Sequence, residues 1–145
     1  MTISKGRILC TEDDEDTREL LTVMLGLADY DVTCADSAVV ALDLIRNEKF
    51  DLLLLDNWMP GVSGESLCVK IREFDSTTPI LFYSGAAYQE DKDRARAAGA
   101  QGYLVKPVID DQLVIEVARI IAESNIGVAV AVVPPEQGRL ITVSE

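Results

Sequence analysis

Apolar and polar positions along this chain switch between two rhythms. Short apolar runs bounded by turn residues alternate with longer stretches in which apolar residues recur every three to four positions. The runs predict strands over Arg7–Thr11, Asp31–Ala35, Leu52–Asp56, Pro79–Tyr83 and Gly102–Val105. The helical spacing predicts Glu15–Leu27, with Leu20, Val23, Met24 and Leu27 on one face, and a helix capped by Ser37 that runs to about Glu48, with Ala38, Ala41, Leu42 and Ile45 inward. Further helices are expected over Gly64–Phe74 (Leu67, Ile71 and Phe74 inward), Tyr88–Ala98 (stopped by Gly99) and Asp110–Ser124 (Leu113, Val117, Ile120 and Ile121 on one stripe).

Strict alternation of strands and helices implies right-handed crossovers and a doubly wound parallel sheet, an α/β fold with helices on both faces. Sheet order does not follow from alternation alone. The flavodoxin-like order 2-1-3-4-5 is one common solution, and it sets the first and third strands side by side at a switch point.

The run Leu52-Leu53-Leu54-Leu55 has no polar alternation, as expected of a strand buried on both faces, and it stops at Asp56. A carboxylate there loses hydration unless something compensates. The first strand likewise ends in Glu12-Asp13-Asp14. If the two strands are neighbours, these carboxylates converge and raise one another's pKa unless a cation joins them. An all-oxygen donor set suits Mg²⁺. A solvated acidic loop is the alternative. Ser84 ends the fourth strand and Lys106-Pro107 follows the fifth. Each alone reads as a turn residue or a surface charge. Together with the acids they make a hydroxyl, an ammonium and a metal position around one carboxylate, a set suited to phosphoryl chemistry.

Composition narrows the classes. The chain has 145 residues, enough for one domain with a full core. With 25 Asp and Glu against 13 Lys and Arg, the surface repels polyanions, so neither direct nucleic-acid binding nor membrane insertion is expected. No apolar run is long enough to span a bilayer and the first residues lack a signal-peptide core, which points to the cytoplasm. The absence of histidine removes Ser-His-Asp and Cys-His catalysis. Cys10, Cys34 and Cys68 have no metal-ligand spacing and read as reduced small hydrophobes.

The stretches Ile8–Asp14, Asp51–Gly64, Pro79–Gly85 and Gly99–Pro107 together resemble the receiver domain of two-component response regulators, over about Arg7 to Ser124. The resemblance implies that Asp56 accepts a phosphoryl group from a histidine kinase or phosphotransfer protein. It implies that Asp13, Asp56 and the backbone carbonyl of Trp58 ligate Mg²⁺, with Glu12 acting through water. Ser84 would bond the phosphoryl group, Lys106 would pair with it ahead of a cis peptide to Pro107, and Tyr103 would be the aromatic switch. The fourth helix, fifth strand and fifth helix would form the output face, where a homodimer or a downstream protein could bind, and the first helix would be the kinase-docking face.

Positions two after the phosphoacceptor and two after the hydroxyl tune phosphoryl lifetime in that family. Here they are Trp58 and Ala86, neither able to hold an attacking water, so slow loss of phosphate is expected, with Trp58 shielding the site. A haloacid-dehalogenase-like phosphatase would want a second Asp where Trp58 stands. A pseudo-receiver adaptor is disfavoured by the intact Asp13, Asp56, Ser84 and Lys106 set.

Residues 1–124 are therefore expected to form a stand-alone receiver, and residues 125–145 a tail. Its Val-rich run 125–133 and Arg139–Val143 have strand composition around Pro134-Pro135-Glu136-Gln137-Gly138. A β-hairpin that docks on the receiver or on another chain is one reading, an unstructured tail the other.

Overall fold

A computed structural model describes residues 3–108 and 111–131. Five strands and five helices alternate: β1 (Arg7–Thr11), α1 (Glu15–Leu27), β2 (Asp31–Ala35), α2 (Ala38–Asn47), β3 (Leu52–Leu55), α3 (Gly64–Arg72), β4 (Ile80–Ser84), α4 (Gln89–Ala98), β5 (Gly102–Val105) and α5 (Gln112–Ala131). The sheet is parallel in the order β2-β1-β3-β4-β5. This is the flavodoxin-like arrangement expected from the resemblance.

Two apolar layers sandwich the sheet. On one side Leu9, Leu53, Leu55 and Phe82 pack with Ala41 and Ile45 of α2, Leu67 and Ile71 of α3 and Ala95 of α4. On the other, Ile8, Cys10, Leu52, Leu54 and Leu81 pack with Leu21 and Leu25 of α1 and Leu113, Val117 and Ile120 of α5. All four leucines of β3 are buried, as a central parallel strand requires.

Three expectations need correction. The inward face of α1 is Leu21 and Leu25, with Met24 partly buried, while Leu20, Val23 and Leu27 are 54%, 58% and 82% exposed. Leucines and valine at adjacent positions offer two overlapping stripes. The helix start, fixed where Asp14 caps it through the Thr17 N–H at 2.9 Å, selects one of them. Phe74, expected inward, lies beyond α3 and is 43% exposed, with the Arg46 guanidinium 4.8 Å from its ring centre. Finally, α5 continues past Ser124 to Ala131, so the first part of the Val-rich run is helical. Extending a nucleated helix adds a hydrogen bond per residue, which outweighs the mild helix penalty of valine. Residues 132–145, which hold the rest of the expected hairpin, lie outside the described residues.

Candidate functional site: an acidic pocket at the carboxyl edge of the sheet

Strand register brings the candidate residues to one edge. Thr11 pairs with Leu55, and the Asp56 N–H continues the ladder to the Thr11 carbonyl at 3.1 Å, so Glu12 and Asp56 leave adjacent strands together. Ser84 pairs with Val105, and the Lys106 N–H donates to the Ser84 carbonyl at 2.8 Å. The Lys106–Pro107 peptide is cis.

Carboxylate oxygens of Glu12, Asp13 and Asp56 lie within 4.8 Å of one another. Glu12 and Asp56 are buried and Asp13 is exposed. Donors around Mg²⁺ at about 2.1 Å stand roughly 3–4 Å apart, so a small closing movement would seat the ion. Asp14, adjacent in sequence, does not join them. Its carboxylate accepts from the Thr17 N–H and hydroxyl at 2.9 and 2.7 Å, which holds its pKa below the usual carboxylate value. The Arg18 guanidinium donates to the carbonyls of Glu12 and Asp13, each at 2.9 Å, and so fixes the turn that presents the two acids.

The Lys106 ammonium bridges the pocket. It donates to Glu12 Oε1 at 2.6 Å and more distantly to Asp56 Oδ2 at 3.4 Å. Burial draws the lysine pKa down, but its hydrogen bond to Glu12 and the charges of Asp56 and Glu12 outweigh that and raise it. Glu12 is pushed up to about 7, chiefly by burial and also by the Asp56 charge, against the opposing pull of Lys106. Among the described residues the Asp56 carboxylate makes only long contacts, to the Trp58 N–H at 3.3 Å and to Lys106.

The remaining residues surround this centre. Ser84 is fully buried, and its hydroxyl oxygen accepts from the Ala86 N–H at 3.2 Å. Ala86 is buried and its carbonyl accepts the Tyr103 hydroxyl at 2.7 Å. The Tyr103 ring stacks on Phe82 with centres 5.6 Å apart. Trp58 is 66% exposed, and its ring runs beside Gly85, 3.7 Å from where a Cβ there would stand. Gly64 opens α3 against the site: a Cβ on it would overlap the Asp56 carbonyl oxygen and approach the Asn57 Cα to 2.8 Å.

Sequence reasoning missed a polar bridge from the pocket to α4. Asn57 donates to Glu65 Oε2 at 3.3 Å, the same oxygen accepts from Arg94 at 3.2 Å, and Arg94 also pairs with Asp91 at 2.6 Å. Asp91 in turn accepts the Tyr88 N–H at 3.1 Å at the start of α4. Polar and charged residues eight and twenty-nine positions apart carry no local pattern that would have joined them.

An acidic pocket, a buried hydroxyl and a bridging lysine at the carboxyl edge of a 2-1-3-4-5 sheet define a receiver-type signalling domain. The description "Response regulator receiver domain" matches residues 8–118, and the chain belongs to that family. It is 41% identical over 117 residues to the transcriptional regulatory protein YrkP of Bacillus subtilis, an alignment covering 81% of this chain and 48% of that protein. A CheY-like receiver domain protein from Methanospirillum hungatei superposes with a TM-score of 0.81 at 28% identity, over 86% of this chain and 99% of that one. The response regulator TrrA of Thermotoga maritima, solved with Mg²⁺ and BeF, superposes at 0.72 with 30% identity, over 83% and 99%. The chain spans about half the length of the curated relatives it matches. Among the described residues no helix is long and apolar enough to cross a membrane.

Proposed function

We propose that Asp56 is the phosphoacceptor of this receiver and that its modification switches a protein-binding surface. The observation that carries the reading is the under-partnered Asp56 carboxylate, buried yet contacted among the described residues only at 3.3 and 3.4 Å, beside two further carboxylates and one ammonium. An Asp56 oxygen would attack the phosphorus of a phosphohistidine, forming the P–O bond as the P–N bond breaks. Mg²⁺, held by Asp13, Asp56 and the Trp58 carbonyl, with Glu12 acting through water, would offset the charge gathered there. Lys106 would exchange its contact with Glu12 for the phosphoryl oxygens, and Ser84 would donate its hydroxyl proton to them.

The Tyr103–Ala86 hydrogen bond ties β5 to the loop that follows Ser84. A shift of that loop would therefore reach Tyr103 and the α4-β5-α5 face, where a downstream protein or a second copy of the chain would bind. A bias of about 1–3 kcal/mol suffices for such coupling. The exposed stripe of Leu20, Val23 and Leu27 on α1, beside the acidic pocket, supports docking of a histidine kinase or phosphotransfer protein there. This is a signalling module rather than a turnover enzyme, at most promoting its own phosphorylation and dephosphorylation, and we place it in the cytoplasm. Trp58 beside Gly85, with Ala86 buried, favours a long-lived phosphoryl group. We assign the receiver to residues 1–124, with the end of α5 as a helical extension.

Incubation with Mg²⁺ and acetyl phosphate, read by intact mass, tests the reading. The expected result is one phosphoryl group in the native chain and none in Asp56→Asn. Absence of both the phosphoryl group and beryllofluoride binding would instead identify an adaptor that works without phosphorylation.

A further inference from the structure

Outside the acidic pocket, β1 and β2 each present a cysteine at the same height. Cys10 and Cys34 are register partners, each the fourth residue of a five-residue strand. Paired residues of neighbouring parallel strands share a face and stand about 4.8 Å apart. That falls within the roughly 4.4–6.8 Å between Cα atoms that a disulfide spans. Both cysteines are free thiols on the α1 side of the sheet. Cys10 is wholly buried there, whereas Cys34 lines a surface depression of about 500 Å³ together with Glu15, Arg18, Thr22 and Val23 of α1. Reagents entering from solvent therefore meet Cys34 first, with Cys10 directly behind it.

The surroundings differentiate the two sulfurs. Thr22 Oγ1 lies 3.3 Å from Cys34 Sγ. The neighbouring Cys10 thiol, the Thr22 hydroxyl and the Arg18 charge together overcome burial and hold the Cys34 thiol down to about 6. A surface-accessible thiol of lowered pKa with a second thiol behind it at the same register is the arrangement in which one sulfur attacks and the other resolves. Cys68 supplies an internal reference: it is buried, its thiol donates to the Ala98 carbonyl at 3.3 Å, and burial pushes it to about 11.

We infer that Cys34 is an oxidation site for hydrogen peroxide and that Cys10 is its resolving partner, giving an intramolecular β1–β2 disulfide. The Cys34 thiolate attacks one peroxide oxygen, the S–O bond forms as the O–O bond breaks, and the other oxygen leaves as water after taking a proton. The Cys10 sulfur then displaces the sulfenic hydroxyl, which departs as a second water carrying the Cys10 proton. Two thiols are oxidised to one disulfide and one peroxide is reduced to two waters.

The test treats the reduced full chain with equimolar hydrogen peroxide at neutral pH and maps each cysteine by mass spectrometry after alkylation in denaturant. The expected result is joint loss of the Cys10 and Cys34 thiols as a disulfide that a reductant reverses, with Cys68 still alkylated. In Cys10→Ala the sulfenate should persist on Cys34 and be trapped by dimedone, and in Cys34→Ala the Cys10 thiol should survive. Should either variant fold poorly, alkylation of the native chain decides independently, with Cys34 expected to react at least about tenfold faster than Cys68. Survival of both thiols, sulfenate on Cys34 with Cys10 left free, or equal reactivity of Cys34 and Cys68 would overturn the proposal.

Discussion

Two aspartates bracket β3, and the strand between them separates structural from chemical use of the same side chain. Asp51 stands at the amino end, exposed to water, and its Oδ2 accepts the Arg7 N–H at 2.7 Å. Its own N–H returns the bond to the Arg7 carbonyl at 2.7 Å, so it closes the β1–β3 ladder. The carboxylate of Asp56, only 7% exposed at the carboxyl end, meets no donor closer than 3.3 Å among the described residues. The fold satisfies the carboxylate that could have relied on water and leaves the buried one under-partnered. Such a group is poised to bind whatever brings positive charge or an electrophile.

The sharpest way to break this contrast is to crowd the carboxyl end. Gly64→Ala would place a methyl group into the Asp56 carbonyl and against Asn57 and Phe82, all fixed by the sheet and the start of α3. Loss of about 3 kcal/mol of unfolding free energy is expected, with reduced phosphoryl uptake because the Asp56 backbone must move. Gly26→Ala on α1 has open space around the new carbon and should be neutral or stabilising by up to about 1 kcal/mol. Denaturant titration of the two variants checks the pair. Equal stabilities would mean that the β3–α3 junction is more yielding than its packing implies.

How much of this was legible in the sequence varies from residue to residue. The β3 run ending at Asp56 could be read directly, because a central parallel strand leaves no polar alternation. The phase of α1 could not, since Leu20 and Leu21 both fit a helical stripe and only the capped start at Asp14 chooses between them. Asp14 shares the acidic run with Glu12 and Asp13, and its hydrogen bonds to Thr17 are what separate it from the pocket. The helical end of α5 was misread because Val-rich composition favours a strand in isolation, whereas a helix already formed extends through it. Two relations depended on strand order. The convergence of Glu12, Asp13 and Asp56 was expected from it, and the Cys10–Cys34 pairing followed from the same alignment but was not drawn.

A second test works through pH. Glu12 has its pKa raised from 4.5 to about 7, mainly by burial, so its protonated form suits the metal-free fold. Stability from that preference is complete below about pH 4.5 and falls as pH rises towards and through 7. The raised pKa of Lys106 acts on stability only at alkaline pH, outside this window. Without divalent ions, chemical denaturation at pH 5 and pH 8 should differ by on the order of 2 kcal/mol from this group. Glu12→Gln should remove most of the difference, and Mg²⁺ should offset it at pH 8 by stabilising the ionised pocket. An unchanged pH slope in the glutamine variant would show that burial of Glu12 is not its source.

The smallest expected effect lies at the amino end and completes the contrast. Asp51→Ala removes the acceptor of the Arg7 N–H but leaves that group within reach of water, so a loss of about 1 kcal/mol is expected, with phosphoryl uptake unchanged. Asp56→Asn should do the reverse, leaving stability level or slightly raised, because it removes one negative charge from a buried acidic cluster. The two variants thus separate along independent axes, one read by denaturation and the other by intact mass. If Asp51→Ala impaired phosphoryl uptake as strongly as Asp56→Asn, the two ends of β3 would not be independent. The under-partnering of Asp56 would then be a property of the whole strand rather than of its carboxyl end.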